Sequence, residues 1–142
     1  MNDVARLLEM RFEADPEQLK MVRAEVRTVA ERAGFGVGAA NEVVIAVNEA
    51  CMNIIQHAYK GDKSGEILLE IHNNGSELEV VLKDFAAPVD CGAIRPRELA
   101  DLRPGGLGTH FIREIMDECV YGHLDGVAGN FVRMKKKLAR DD

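Results

Sequence analysis

Three polar side chains, Glu49, Asn53 and His57, recur every four residues in the stretch NEACMNIIQHAY (48–59). At 3.6 residues per turn this spacing stacks them on one helical face, while Val44, Val47, Cys51, Ile54, Ile55 and Ala58 cover the rest of the circumference. A helix this apolar is expected to be buried. A carboxylate and a carboxamide buried in line need partners, because desolvating an unpaired charge costs several kcal/mol or shifts its pKa. A bound cation with a polyanion would supply them. The same spacing also fits an exposed polar seam on an ordinary amphipathic helix, and periodicity alone does not separate the two.

Two further features carry chemistry. Asp84 opens a loop after a strand-like run, where its carboxylate is either a hydrogen-bond acceptor for a ligand or an ordinary turn former. Arg103 to Thr109 reads RPGGLGT directly before an amphipathic run, which sets three glycines at a helix start. Unpaired backbone N–H groups and the positive end of the helix dipole favour an anion there, and glycine lets the backbone approach phosphate oxygens closely. A glycine turn opening a helix is common, so GGLG alone does not decide the matter. Neither a G-x-x-x-x-G-K-[ST] loop nor a G-x-G-x-x-G after a strand is present, so phosphate would be held without a P-loop or a dinucleotide fold.

Together the three pieces resemble the GHKL ATPase superfamily of gyrase, histidine kinases and mismatch-repair ATPases, and within it the bacterial anti-sigma-factor serine kinases. The match in spacing spans nearly the whole chain, and His57-Ala58-Tyr59 follows Asn53 as in the serine-kinase branch. The resemblance implies a magnesium ligand at Asn53, whose carbonyl oxygen is a hard neutral donor that leaves room for phosphate oxygens and waters. It implies a general base at Glu49 and an adenine-reading carboxylate at Asp84. Arg103, Gly105, Gly106, Leu107, Gly108 and Thr109 would complete the nucleotide site. Ala86 stands where the fullest family pattern has Gly, one methyl nearer the base, and weaker nucleotide binding is expected from it. His57 is assigned a structural hydrogen bond near the helix end.

The function so implied is an ATP- and Mg2+-dependent serine/threonine protein kinase, which transfers the γ-phosphate to a small anti-sigma-factor antagonist. By the same resemblance it sequesters a sigma factor on that surface and forms a homodimer, for which the edge of the apolar first strand offers a pairing surface. The rival reading is a non-catalytic nucleotide-binding or partner-binding regulatory module of the same fold; Ala86 favours it, while Glu49 and Asn53 oppose it. A detached ATPase half of a histidine-kinase system is a third reading, but no dimerising helical hairpin with a phosphorylatable His precedes the motifs.

The elements that must position these groups follow from the chain order. Residues 4–13 form an apolar, uncapped run expected to be a strand; Asp15-Pro16-Glu17-Gln18 gives an N-cap, a proline at N1 and a Gln at N3. An amphipathic helix then runs from Pro16 to Ala33 and ends at Gly34, and a second runs from about Gly38 to Tyr59. Strands at Glu66–His72 and Glu77–Lys83 flank an Asn74-Gly75 hairpin turn, with Ile67, Leu69, Ile71, Leu78, Val80 and Leu82 facing inward. A long connection with one helical turn near Arg97–Leu102 leads to a short helix at Leu107–Met116 and two closing strands near Cys119–Leu124 and Asn130–Leu138. The expected fold is one histidine-kinase-like ATPase domain over residues 1–142, an α+β two-layer sandwich with helices on one face of a mixed, mostly antiparallel sheet.

Composition agrees. The 142 residues suffice for one core without disulfides or a structural metal, and the three cysteines show no C-x-x-C pairing. A net charge of -6 argues against nonspecific nucleic-acid binding, no apolar run approaches the roughly 18 residues of a membrane span, and no signal peptide is indicated, so a cytoplasmic location is expected. The basic run Arg133, Lys135, Lys136, Lys137 is read as the charged outward side of a solvated last strand.

Overall fold

A computed structural model describes residues 5–86, 112–126 and 128–138. Its sheet has five strands, β1 (Ala5–Glu13), β2 (Glu66–Asn73), β3 (Glu77–Asp84), β4 (Glu118–His123) and β5 (Asn130–Lys137), in the spatial order β1-β2-β3-β5-β4. Every neighbouring pair is antiparallel, so the mostly antiparallel sheet expected from sequence is antiparallel throughout among the described residues.

Two helices cover one face. Asp15 caps the first by accepting from the Glu17 N–H; a 3₁₀ turn at Pro16–Gln18 leads into α1 (Leu19–Ala33), which Gly34 closes. Leu19, Val22, Val26, Val29 and Ala30 form its buried stripe. Helix α2 (Val37–Asn53) buries Ala40, Val43, Val44, Ala46, Val47, Ala50, Cys51 and Asn53, which confirms a helix sunk on most of its circumference. It does not continue to Tyr59 as a regular α-helix. One π-helical turn, Ile54–Ala58, widens its end, with the Tyr59 N–H bonded to the Ile54 carbonyl at 3.0 Å. Such single turns recur at functional sites.

The inward sides of the strands are those that alternation marks. Ile67, Leu69, Ile71, Leu78, Val80 and Leu82 are fully buried under the helices, with Phe12, Val132 and Met134 beside them. The basic run on β5 alternates outward as read from sequence, Arg133, Lys135 and Lys137 lying on the side opposite buried Val132 and Met134. Strand β5 lies between β3 and β4 and is not a sheet edge, so its cations are partly covered: Lys135 sits 3.8 Å from Glu79 and 3.6 Å from Glu118 on the flanking strands. The helical turn proposed near Arg97–Leu102 and the start of the Leu107–Met116 helix lie outside the described residues; residues 112–115 are helical, and Ile112 and Met116 join the core.

One glycine governs how β5 enters the sheet. Gly129 has φ +151°, and a Cβ there would stand 2.4 Å from the Asp84 carbonyl oxygen and 2.6 Å from Leu124 Cδ1. A side chain would therefore be strained in both backbone and contact. Gly129→Ala should lower the unfolding free energy by about 1–3 kcal/mol, measured by urea denaturation; an unchanged midpoint would mean that this corner relaxes without cost.

Candidate active site

The inward parity of β3 runs Leu78, Val80, Leu82 and then Asp84, so alternation carries a carboxylate to the core side of the sheet. Asp84 is 2% exposed. On β5 the inward positions Val132 and Met134 are preceded by Asn130, which is 8% exposed and pairs in register with Asp84. The Asn130 side chain donates from Nδ2 to Asp84 Oδ1 at 2.9 Å, and the Ala86 N–H donates to the same oxygen at 3.1 Å. Burial pushes the Asp84 pKa up, while these bonds and a backbone hydrogen bond from Asn130 pull it down. A carboxylate offers about four lone-pair sites, so acceptor capacity remains.

Across from this pair stands the end of α2. Asn53 is buried, 4% exposed, and with Ala50, Ile54 and His57 it forms the helical wall of a pocket whose opposite wall includes Asp84, Asn130 and Tyr121. The pocket opens to solvent, and the space between its walls, open mouth included, is about 420 Å3. Its lining is mostly apolar, with a few convergent polar groups, which suits a flat heteroaromatic base carrying a hydrogen-bond donor.

Of the residues singled out from sequence, the fold brings Asn53 and Asp84 to one cavity and sets Ala86 beside Asp84. Glu49 stands one helical turn before Asn53, half-buried and outside the pocket wall, and burial raises its pKa. His57 lines the pocket but is exposed, because the π turn shifts it off the line through Glu49 and Asn53. Arg103, Gly105, Gly106, Leu107, Gly108 and Thr109 lie outside the described residues. Asn130 was missed as a site residue. Its signal was a polar residue at the inward parity of the last strand, which becomes informative only with the β3–β5 register.

Among the described residues no three His, Cys, Asp or Glu side chains gather into a metal-binding group. Asn53 is a single hard oxygen donor, and that set fits a magnesium ion whose remaining ligands are phosphate oxygens and water. It does not fit a soft transition metal, which would call for imidazole or thiolate.

Comparisons with known proteins give the chain's family and fold. The histidine kinase-like ATPase domain matches residues 12–136. The chain is 34% identical over 146 residues to the serine-protein kinase RsbW of Bacillus subtilis, covering 97% of this chain and 89% of that protein. It is 34% identical over 127 residues to RsbW of Listeria innocua, covering 84% and 81%. Among solved structures, the SiaB–SiaC complex from Pseudomonas aeruginosa contains a chain with the same fold, at TM-score 0.65 and 16% identity, over 93% of this chain and 90% of that one. With a buried carboxylate and a buried carboxamide lining one pocket, and this similarity along almost its entire length, the chain belongs to the histidine kinase-like ATPase family, in its branch of RsbW-type serine-protein kinases.

Proposed function

We propose that the protein binds ATP with magnesium in the pocket between α2 and the β3–β5 pair, and transfers the γ-phosphate to a serine or threonine of a small antagonist protein. The observation that carries this reading is that Asn53 and Asp84, distant in sequence and both buried, wall the same cavity. Asp84, oriented by Asn130 and the Ala86 N–H, accepts a hydrogen bond from the adenine amino group. Asn53 offers its carbonyl oxygen to the metal. Bound magnesium supplies neutralisation of the phosphate charge that builds during transfer. Arg103, Gly105, Gly106, Leu107, Gly108 and Thr109 are assigned to the phosphates on their sequence pattern alone.

Glu49 is assigned as the base. It accepts the proton of the attacking hydroxyl as that oxygen bonds to the γ-phosphorus and the bond from phosphorus to the β,γ-bridging oxygen breaks, releasing ADP. Burial raises its pKa and so brings it nearer the working pH, where a general base is most effective. The partner is an anti-sigma-factor antagonist, supported by the RsbW relationship, with a sigma factor as a second ligand of the same surface. A cytoplasmic setting suits the free thiols of Cys51 and Cys119.

Four outcomes test this. In calorimetry, Asp84→Asn should weaken ATP binding by about 1.5–3 kcal/mol, the worth of a charge-assisted hydrogen bond, and Asn53→Ala should abolish the gain in affinity from magnesium; equal affinities or an unchanged metal requirement would remove these residues from the site. In single-turnover transfer at saturating ATP and partner, Glu49→Ala should slow the reaction by roughly 100- to 10,000-fold while partner binding persists. Because the base must be ionised and its pKa is raised, the wild-type rate should fall on acidification at a higher pH than an ordinary carboxylate would give. A wild type that binds the partner yet transfers nothing would leave the non-catalytic module as the reading.

We also propose a homodimer that uses the edge strand β1, where the Leu7 side chain is exposed beside a register shift between Arg6 and Leu8. Sedimentation at tens of micromolar should show the dimer, and a monomer throughout would contradict it.

A further inference from the structure

Tyr59 lies at the joint between the π turn of α2 and the two strands that frame the pocket. Its hydroxyl donates to the Glu66 carbonyl at 2.5 Å, at the start of β2, and accepts from the Phe85 N–H at 2.8 Å, just past the end of β3. Strand register sets Ile67 opposite Asp84, so both contacts fall at the sheet end that carries the carboxylate. The ring is seated against Gly65, where a Cβ would come within 2.5 Å of Tyr59 Cδ1 and Cε1. Glycine at 65 is therefore a condition of the ring's position. Gly65 is held in turn, its carbonyl accepting from the Ala14 N–H at 2.8 Å and its N–H donating to the Asp62 carbonyl at 3.3 Å.

These bonds fix the peptide that follows Asp84. The Phe85 N–H is tied to Tyr59, and the next N–H, that of Ala86, is tied to the Asp84 carboxylate itself at 3.1 Å. Rotating the Asp84–Phe85 peptide plane would break the bond to Tyr59, while the bond from Ala86 ties the following peptide to the carboxylate. The hydroxyl thus anchors the aspartate from its chain side while Asn130 anchors it from the neighbouring strand. Tyr59 also belongs to the helix end that carries Asn53, so the metal-side donor and the base-side acceptor share one frame.

We infer that Tyr59 is a positioning residue for base recognition, its hydroxyl locking the Asp84–Phe85 peptide so that the carboxylate is presented to the exocyclic amino group of adenine. The inference rests on the reading of this pocket as the adenine site. Its consequence is selective. Losing the hydroxyl should weaken nucleotides that donate to Asp84 and spare a nucleotide that cannot.

The test compares ATP with inosine triphosphate, whose 6-oxo group replaces the donor, by calorimetry on the full chain. Wild type should prefer ATP, and Asp84→Asn should remove much of that preference. Tyr59→Phe keeps the ring, and the Glu66 carbonyl and Phe85 N–H lie near enough to the surface for water to take over. It should weaken ATP about three- to tenfold, the scale of one hydrogen bond, leave inosine triphosphate unchanged, and add nothing to Asp84→Asn in the double variant. If Tyr59→Phe does not fold, Gly65→Ala carries the same test, because its methyl displaces the ring and should give the same ATP-selective loss. A wild type without preference, or an Asp84→Asn protein that keeps it, would refute the pocket reading itself. With those two results as expected, wild-type ATP affinity in the variant, or an equal loss for both nucleotides, overturns the role of Tyr59 alone.

Discussion

The pairing of β3 with β5 is the constraint on which the rest of the molecule depends. It joins the hairpin that follows the helices to the hairpin that closes the chain, and it sets Asp84 directly against Asn130. A buried carboxylate is tolerable only with hydrogen bonds, and here they come from the strand that the pairing brings alongside. Gly129 makes the approach possible by keeping its side of the corner free of a Cβ that would collide with the Asp84 carbonyl. Fold closure and site assembly are thus one event.

The two faces of the sheet solve different problems. Beneath α1 and α2 the strands present aliphatic side chains, and the only polar residues of the described core, Asn53, Asp84 and Asn130, all line the pocket. On the open face the strands carry charges in cross-strand arrangements, such as Lys83 at 3.9 Å from Glu70 and Lys135 between Glu79 and Glu118. Partly exposed pairs of this kind contribute little to stability. The match is not complete along the sheet, since Glu9 faces Glu70 and Glu13 faces Glu66 across the β1–β2 pair, where Arg11 lies 2.6 Å from Glu66.

The end of α2 shows how a small departure from regular geometry redistributes roles. Glu49 and Asn53 keep the four-residue spacing of an α-helix, but the π turn at Ile54–Ala58 adds a residue to the next turn. His57 then points to the pocket rim, and Tyr59 swings to the sheet, where its hydroxyl spans β2 and the exit of β3. The chain leaves through Lys60, at φ 53°, and Gly61, at φ 86°. A regular α-helix over the same residues would set Tyr59 at a different angle about the axis, away from both backbone groups.

Local rules alone were enough to read much of this from the sequence. Alternation identified the inward faces of β2 and β3, Asn74-Gly75 their turn, Asp15-Pro16 the start of the first helix and Gly34 its end, because each signal acts within a few residues. The four-residue spacing of Glu49 and Asn53, with Asp84 and the glycine run, resembled the family, and that resemblance implied ATP and magnesium. What needed the tertiary structure was everything that depends on partners distant in the chain. The inward Asn130 acquires a meaning only once β5 lies beside β3, the outward cations of β5 are partly covered by Glu79 and Glu118 for the same reason, and the π turn arises where the helix end must meet both the core and the sheet. Sequence periodicity reports which side of an element is apolar; it carries no information on which strand will stand next to it, and that choice built the pocket.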